Sequence, residues 1–460
     1  MLDSHPSTDA IRQQLCSPLL PEQPGPEGWT RRSFLRALGM GGTAALLGGG
    51  LHELLAGGAV RDAFAGPALG SNEGVLLLLT HYGGNDGLNT VVPYTNNRYF
   101  SQRGQLAIPA NQVLPLDGVH GLHPNLPYLK SLWDVGNVAL VHGVGYPNPD
   151  LSHFTSMATW MRGSLTPGVP SNGWIGRWLD TVSPELAEMG AATIDSSVPL
   201  HMVGRTRRGL GISPYGDLFG ADTEPEQLRM YQALMAMNAP AGRGAWHDMY
   251  TASLASHLRM AAQLGPALTG VPDGSELVRK MTIAARVINA DVGLRVLDVP
   301  HGGYDTHDNQ PGRHGDLLAE FDAALQAFFA TLEPRFRNRV AIVTLSEFGR
   351  TPYANESSGT DHGTANVQMV IGDLVHGGHY GTPPSLAVND QWERLVFTLD
   401  FRSLLGSVME EWMAADAPTI MEGNGFERLG LFGGAPGATV TAVNQPAEAD
   451  GLRPAQRLRR

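Results

Sequence analysis

Apolar residues in this chain gather in short uninterrupted runs, with glycines and polar residues concentrated between them. The run at 340–345 shows no apolar/polar alternation, 75–80, 138–144 and 367–371 are mostly apolar, and 294–299 is a further short candidate strand. Such runs predict strands buried on both faces, as in a parallel sheet covered by helices on either side. A shorter run at 191–194 is a further candidate strand. Apolar residues near helical spacing predict helices over 126–134, from Ser152 to about Met161, and over 224–238, 244–264, 276–292, 316–332 and 400–414. Strands that alternate with helices predict an α/β fold. The block at about 224–292 reads as a helical insertion that covers one face of the sheet or closes over a site.

In an open α/β sheet, sites lie at the carboxyl ends of the strands, so the residues that follow each run carry the candidate chemistry. After 75–80 comes Gly83-Gly84-Asn85-Asp86-Gly87, in which Asp86 is either a loop carboxylate or a metal ligand. After 138–144, Pro149 and Asp150 lead into Ser152, which is either a helix N-cap or a nucleophile favoured by the free amides of the helix start. After 294–299, Asp305, His307 and, at the next helix start, His314 form a ligand-like group, with hydrogen-bonded turns as the alternative. The run 340–345 ends in Ser346-Glu347-Phe348-Gly349-Arg350. Asp361 and His362 stand side by side between glycines ahead of 367–371. Glycine lets the backbone turn sharply enough for carboxylate and imidazole to face one point, as a metal ion requires. His376-Gly377-Gly378-His379 reads as a turn with one more candidate ligand.

Composition narrows the classes. Hydrophobic residues at 42% and charged residues at 17% are globular values, and 57 glycines with 32 prolines predict long turn-rich connections. A net charge of −12 without a basic stripe argues against a nucleic-acid partner. The single cysteine, Cys16, excludes an internal disulfide, and 16 histidines make oxygen and nitrogen the available metal donors.

The ends of the chain read differently from the middle. Thr30-Arg31-Arg32-Ser33-Phe34-Leu35-Arg36 matches a twin-arginine signal, a weakly apolar Gly/Ala-rich run follows, and Ala63-Phe64-Ala65 resembles a signal-peptidase site. Residues 1–65 are therefore expected to be an export signal read by the twin-arginine translocase, delivering the protein to the periplasm or beyond. The run is too short and too broken by glycine for a stable membrane span. Residues 66–432 form the expected domain, and 433–460, rich in Gly, Ala and Pro, an expected disordered tail.

The stretches Gly83–Thr90, Gly121-Leu122-His123-Pro124, Ser152-His153-Phe154, Asp305-Thr306-His307, Ser346–Arg350 and Gly359-Thr360-Asp361-His362-Gly363 resemble the bacterial family catalogued as domain of unknown function 1501. That family in turn resembles the alkaline phosphatase and sulfatase superfamily. The resemblance implies a three-layer α/β/α sandwich with a mostly parallel central sheet and a site for two divalent metal ions, with zinc, magnesium, calcium and manganese left open. It places Asp86 with Asp361 and His362 on one ion, Asp305 with His307 on the other, His314 as an alternative second-ion ligand, and Ser152 as nucleophile. Under it Arg350 clamps a substrate oxygen or forms a surface salt bridge, and Glu347 is a further ligand or orients a metal-bound histidine. The implied activity is hydrolysis of a phosphate or sulfate ester, small or polymer-borne. A formylglycine sulfatase motif is absent at Ser152. The other function class is an exported scaffold that kept the fold without turnover.

Overall fold

The structure, a computed structural model, describes residues 68–437 apart from 167–170, 184–185, 187–188, 216–228, 230–263, 266, 272 and 422–425. The expected signal at 1–65, the predicted helices at 224–238 and 244–264, and most of the tail lie outside the described residues. In chain order the strands are β1 (Val75–His81), β2 (Val91–Val92), β3 (Leu114–Pro115), β4 (Gly121–Leu122), β5 (Val138–Gly145), β6 (Ala191–Thr193), β7 (Leu210–Gly211), β8 (Val296–His301), β9 (Val340–Leu345), β10 (Asn366–Ile371), β11 (Gly378–Tyr380) and β12 (Leu399–Asp400). The helices that matter here are α1 (Gly87–Thr90), α2 (Asn97–Arg103), α3 (Pro127–Asp134), α4 (His153–Arg162), α5 (Trp174–Thr181), α6 (Glu276–Asn289), α7 (Gln310–Thr331) and α8 (Phe401–Ser407).

The main sheet runs β11-β5-β10-β9-β1-β8-β6-β7, with β12 also on β5. Pairings β1–β8, β1–β9, β8–β6, β6–β7, β5–β11 and β5–β12 are parallel. Strand β10 alone among these runs against its neighbours, β9 and β5. The uninterrupted apolar runs are explained by the layers. Leu77 and Leu79 of β1 enter one core with residues of α3, α6 and α7, while Leu76 and Leu78 enter the other with residues of α5 and α8. Successive side chains of a strand point to opposite faces, so a strand between two helical layers needs apolar residues at both parities. This is the α/β fold and the three-layer sandwich expected from the sequence.

Boundaries differ where caps decide them. Helix α7 starts at Gln310, six residues before the predicted start, because Asn309 takes a left-handed φ of 41° and Pro311 occupies the first turn. Proline suits that place, where a missing N–H costs nothing. The predicted turn at 376–379 contains an edge strand: Gly378–Tyr380 pairs with Ala139–Val141 of β5.

The reversal of β10 determines which loops meet. Parallel strands β1, β5, β8 and β9 deliver the segments that follow them to one edge of the sheet. A reversed strand presents at that edge the segment that precedes it, which here contains Asp361 and His362. Truncating the centre of this sheet tests the two-sided burial: Leu77→Ala is expected to cost about 2–5 kcal/mol, the range for a large-to-small change in a filled core. Denaturant unfolding reads the loss, and a cost below about 1 kcal/mol would contradict close packing on that face.

Candidate metal centre

Donor atoms of four residues meet around one oxygen at this edge, and those of His153, Asp305 and His362 all lie within 4.8 Å of one another. Asp305 Oδ1, in the segment after β8, lies 2.9 Å from His307 Nε2, 3.2 Å from His362 Nε2 and 3.4 Å from His153 Nε2. His307 Nε2 and His362 Nε2 are 2.9 Å apart. Each imidazole is held from behind through its other nitrogen. His153 Nδ1 meets Glu347 Oε1 at 2.7 Å, His307 Nδ1 meets Asp361 Oδ1 at 3.0 Å, and His362 Nδ1 meets the Leu151 carbonyl at 2.8 Å. Carboxylate and carbonyl oxygens only accept, so the proton of each neutral ring sits on Nδ1 and the Nε2 lone pairs point inward. Acceptors behind metal-binding histidines fix tautomer and orientation in this way.

That inward set is unfavourable by itself. Two Nε2 lone pairs 2.9 Å apart repel unless they share a proton or a cation, and the buried His153 Nε2 has no hydrogen-bond partner. Donors ~2.1 Å from one tetrahedral ion stand roughly 3.4 Å from one another, close to the spacings here. The residues therefore fit a divalent ion, and imidazole-rich sets with one carboxylate suit zinc-class metals.

The backbone supports the arrangement. Ser152 caps α4, its Oγ accepting from the Thr155 amide at 3.5 Å, which makes His153 the first helical residue. Leu151, just ahead, has a left-handed φ of 60°, which aims its carbonyl at His362. A non-glycine residue in that region is held there by its surroundings, and such strain clusters at functional sites. Gly83, with φ 114°, is where the loop after β1 presses on the loop after β8: a Cβ there would stand 2.4 Å from the Asp305 amide nitrogen. Its N–H donates to Glu347 Oε1, the same oxygen that faces His153.

Charges follow the geometry. Burial pushes the Asp305 carboxyl pKa up, but the Arg350 hydrogen bond and charge and the neighbouring histidines outweigh it and hold the pKa at about 2. His153 is pushed up, chiefly by its hydrogen bond to Glu347. His362 is pushed down, first by burial and then by the charge of Arg350.

Several sequence expectations change here. Asp305 and His307 come together as expected, but His362, expected on a different ion with Asp86 and Asp361, joins them, and Asp361 stands behind His307 as its hydrogen-bond acceptor. Asp86 is not at this centre. It is buried in a two-pronged ion pair with Arg103, receives Gln310 Nε2, and caps α1 through the amides of Leu88 and Asn89. A carboxylate engaged on all sides by donors has no free lone pair for a metal. His314 is also elsewhere: it is buried, its Nε2 is 2.9 Å from Asn85 Oδ1, and burial lowers its pKa to about 4. Arg350 is neither a substrate clamp nor a surface residue. Its buried guanidinium donates to the carbonyls of Gly83, Gly84, Tyr304 and Thr360 and to Asp305. Ser152 is a helix cap in this structure. His153 was not among the candidates read from the sequence, although it joins the candidate donor set and the stretch Ser152-His153-Phe154 was visible. The signal was a histidine one residue inside a helix that follows a buried strand.

The sequence profile of the family described as "Protein of unknown function (DUF1501)" matches residues 135–405, more than half of the chain. The chain belongs to this family. No curated protein sequence matches it. Solved structures similar to the DUF1501 chain include an alkaline phosphatase superfamily protein from Vibrio parahaemolyticus, 12% identical, covering 78% of this chain and 71% of its own, with a TM-score of 0.34. Another is the alkaline phosphatase of the Antarctic bacterium TAB5, 11% identical, covering 65% and 91%, at 0.28. A third is the PsFucS1 sulfatase from Pseudoalteromonas sp., 13% identical, covering 81% and 72%, at 0.30. TM-scores this low transfer no chemistry to this protein.

The Asp86–Arg103 pair yields a test that separates structure from metal. Burial opposes ionisation of Asp86, but the charge and hydrogen bonds of Arg103, the nearby His314 and the Gln310 hydrogen bond hold its pKa below the ordinary value. Its contribution is thus fully present above the unfolded carboxyl pKa of about 3.9 and fades as pH falls toward the lower folded value. Asp86→Asn strands a buried guanidinium and is expected to cost about 3–5 kcal/mol at pH 7 with unchanged metal per folded chain. Calorimetry and elemental analysis check both halves, and loss of metal from folded Asp86→Asn would return Asp86 to the ligand set.

Proposed function

We propose that this DUF1501 protein is an exported metal-dependent hydrolase of phosphate or sulfate esters, with one divalent ion held by His153, Asp305, His307 and His362. The observation that carries the reading is the orientation of the three imidazoles, each fixed through Nδ1 by an acceptor and each turning Nε2 toward Asp305 Oδ1. A bound ion would supply Lewis-acid polarisation of an ester oxygen and ease ionisation of a nearby hydroxyl.

The chain's own residues do the rest. Glu347, Asp361 and the Leu151 carbonyl orient the imidazoles. Arg350 positions Asp305 and the loop at Gly83 and Gly84. Ser152 is the nucleophile in this reading, held at the rim because the residues on either side, Leu151 and His153, are both anchored to the centre. Its hydroxyl proton passes to solvent or to the ester leaving oxygen. The amides at the start of α4 face the anionic group. His307 and Asp361 are partly exposed among the described residues, as a site that takes a substrate from solvent requires. Ester substrates of small or polymer-borne type, and no nucleic acid, are the partners this reading implies.

A second reading is a non-catalytic exported scaffold. Four protein donors can saturate a tetrahedral ion, as in structural zinc sites, and that observation favours it.

The substitutions at Ser152 separate the two. With a phospho- or sulfo-ester panel, the hydrolase reading expects Ser152→Ala to lose activity by about 10²-fold or more while keeping its metal. As a cap alone, Ser152 is worth about 1 kcal/mol to α4 and Ser152→Gly recovers most of it. Wild-type turnover in Ser152→Ala would remove the serine from the chemistry, and no hydrolysis by the fully metal-loaded wild type would favour the scaffold.

Export has its own test. Replacing Arg31 and Arg32 together by Lys is expected to retain the protein in the cytoplasm, since the signal is a pair of arginines and not charge. Normal appearance in the periplasmic fraction would remove the twin-arginine route.

A further inference from the structure

A second cluster lies away from α4, where the β3–β4 turn meets the edge of the main sheet. Asp117 and His120 belong to that turn, His379 is in β11 and His142 is in β5. Asp117 Oδ2 stands 3.2 Å from His120 Nδ1 and 3.0 Å from His379 Nε2. Its other oxygen, Oδ1, takes the backbone amides of Val119 and His120, which fixes the carboxylate so that Oδ2 faces the two rings. His379 is held from behind: its Nδ1 is 2.8 Å from His142 Nε2. Trp133 packs on His379 from the core, with ring centroids 5.0 Å apart.

The arrangement leaves one contact poorly made. His379 Nε2 is buried and faces Asp117 Oδ2 at 3.0 Å as an ion pair, without the alignment of a full hydrogen bond. A buried imidazole set against a carboxylate without good hydrogen-bond alignment gains little from the contact, whereas a cation between the two would satisfy both. The same misaligned closeness of imidazole and carboxylate occurs between His153 and Asp305. Donor spacings of 3.0 and 3.2 Å resemble those across a shared ion. His120 and His142 line a cavity of about 780 Å³, which gives a small ion a path to the cluster.

We propose that Asp117, His120 and His379 form a second, separate binding site for a divalent transition metal ion of the zinc class, with His142 as the positioning residue behind His379. Two imidazoles and one carboxylate leave coordination positions for water or a ligand from the cavity. The site goes beyond the proposed hydrolase centre and shares no residue with it.

Metal counting on the full chain tests it. The purified protein is stripped with a chelator, reloaded with Zn²⁺ or Co²⁺, desalted and analysed for metal per chain, with far-UV circular dichroism to confirm folding. The wild type is expected to hold two equivalents, Asp305→Asn one, His379→Gln one, and the double variant none. Because His379 is packed against Trp133, His120→Gln on the turn is the second probe and should also lose one equivalent. In Co²⁺-loaded Asp305→Asn, the visible absorption of the remaining ion should disappear when His120→Gln is added. Wild-type stoichiometry in both folded His120→Gln and folded His379→Gln would overturn the site. So would an Asp305→Asn chain that holds no ion. If the His120 and His379 variants drop by one equivalent while Asp305→Asn keeps the wild-type count, the second site stands and the hydrolase centre falls.

Discussion

The buried guanidinium of Arg350 is the constraint from which the arrangement at the sheet edge follows. It donates to the carbonyls of Gly83, Gly84, Tyr304 and Thr360, which belong to the segments after β1, after β8 and before β10, and it contacts Asp305 directly. A planar fork of donors can satisfy several acceptors at fixed angles, and an ammonium group cannot replace it. Those loops carry no regular structure, so without a common donor their carbonyls would need water and their relative positions would be loose. Asp305 is the meeting point of the three imidazoles, and its own place is determined by this cation.

Strand direction supplies the second half. Segments following parallel strands reach the edge on their own, but Asp361 and His362 arrive because β10 is reversed. Glu347, two residues after the end of β9, then faces His153 at the start of α4. The centre is thus an encounter of five chain segments, each short and each held by backbone contacts. Partial exposure of Asp305, His307 and Asp361 is compatible with that rigidity, because what fixes these side chains lies beneath them.

Much of this was legible in the sequence. The strand at 340–345 was bounded to the residue, since an apolar run between charged and polar segments leaves little freedom. The strands at 75–80 and 138–144 each extend by one residue into the following loop. Asp305, His307 and His362 were recognisable because strand, glycine and ligand-type side chains recur in order. Four things were not. Asp86 looks like a ligand from its surroundings, and nothing local reveals that Arg103, 17 residues on, turns back to it. The roles of Asp361 and Arg350 depend on which side of a histidine or a loop they occupy, a matter of ångström-scale geometry that spacing does not encode. His153 was hidden beside a serine whose two plausible roles drew the attention. The reversed direction of β10 was also invisible, because an apolar run reads the same in both orientations.

The Asp86–Arg103 pair has a consequence for how the protein responds to its surroundings. A carboxylate that relied on a dissolved ion for neutralisation would leave this corner of the fold at the mercy of supply and of competing chelators. Arginine is a counter-charge bound by the peptide chain itself, present from synthesis onward and immune to extraction. The charge of Asp86, which caps helix α1, is therefore balanced within the chain and needs no metal ion. The frame can be completed first, and any ion can be acquired afterwards.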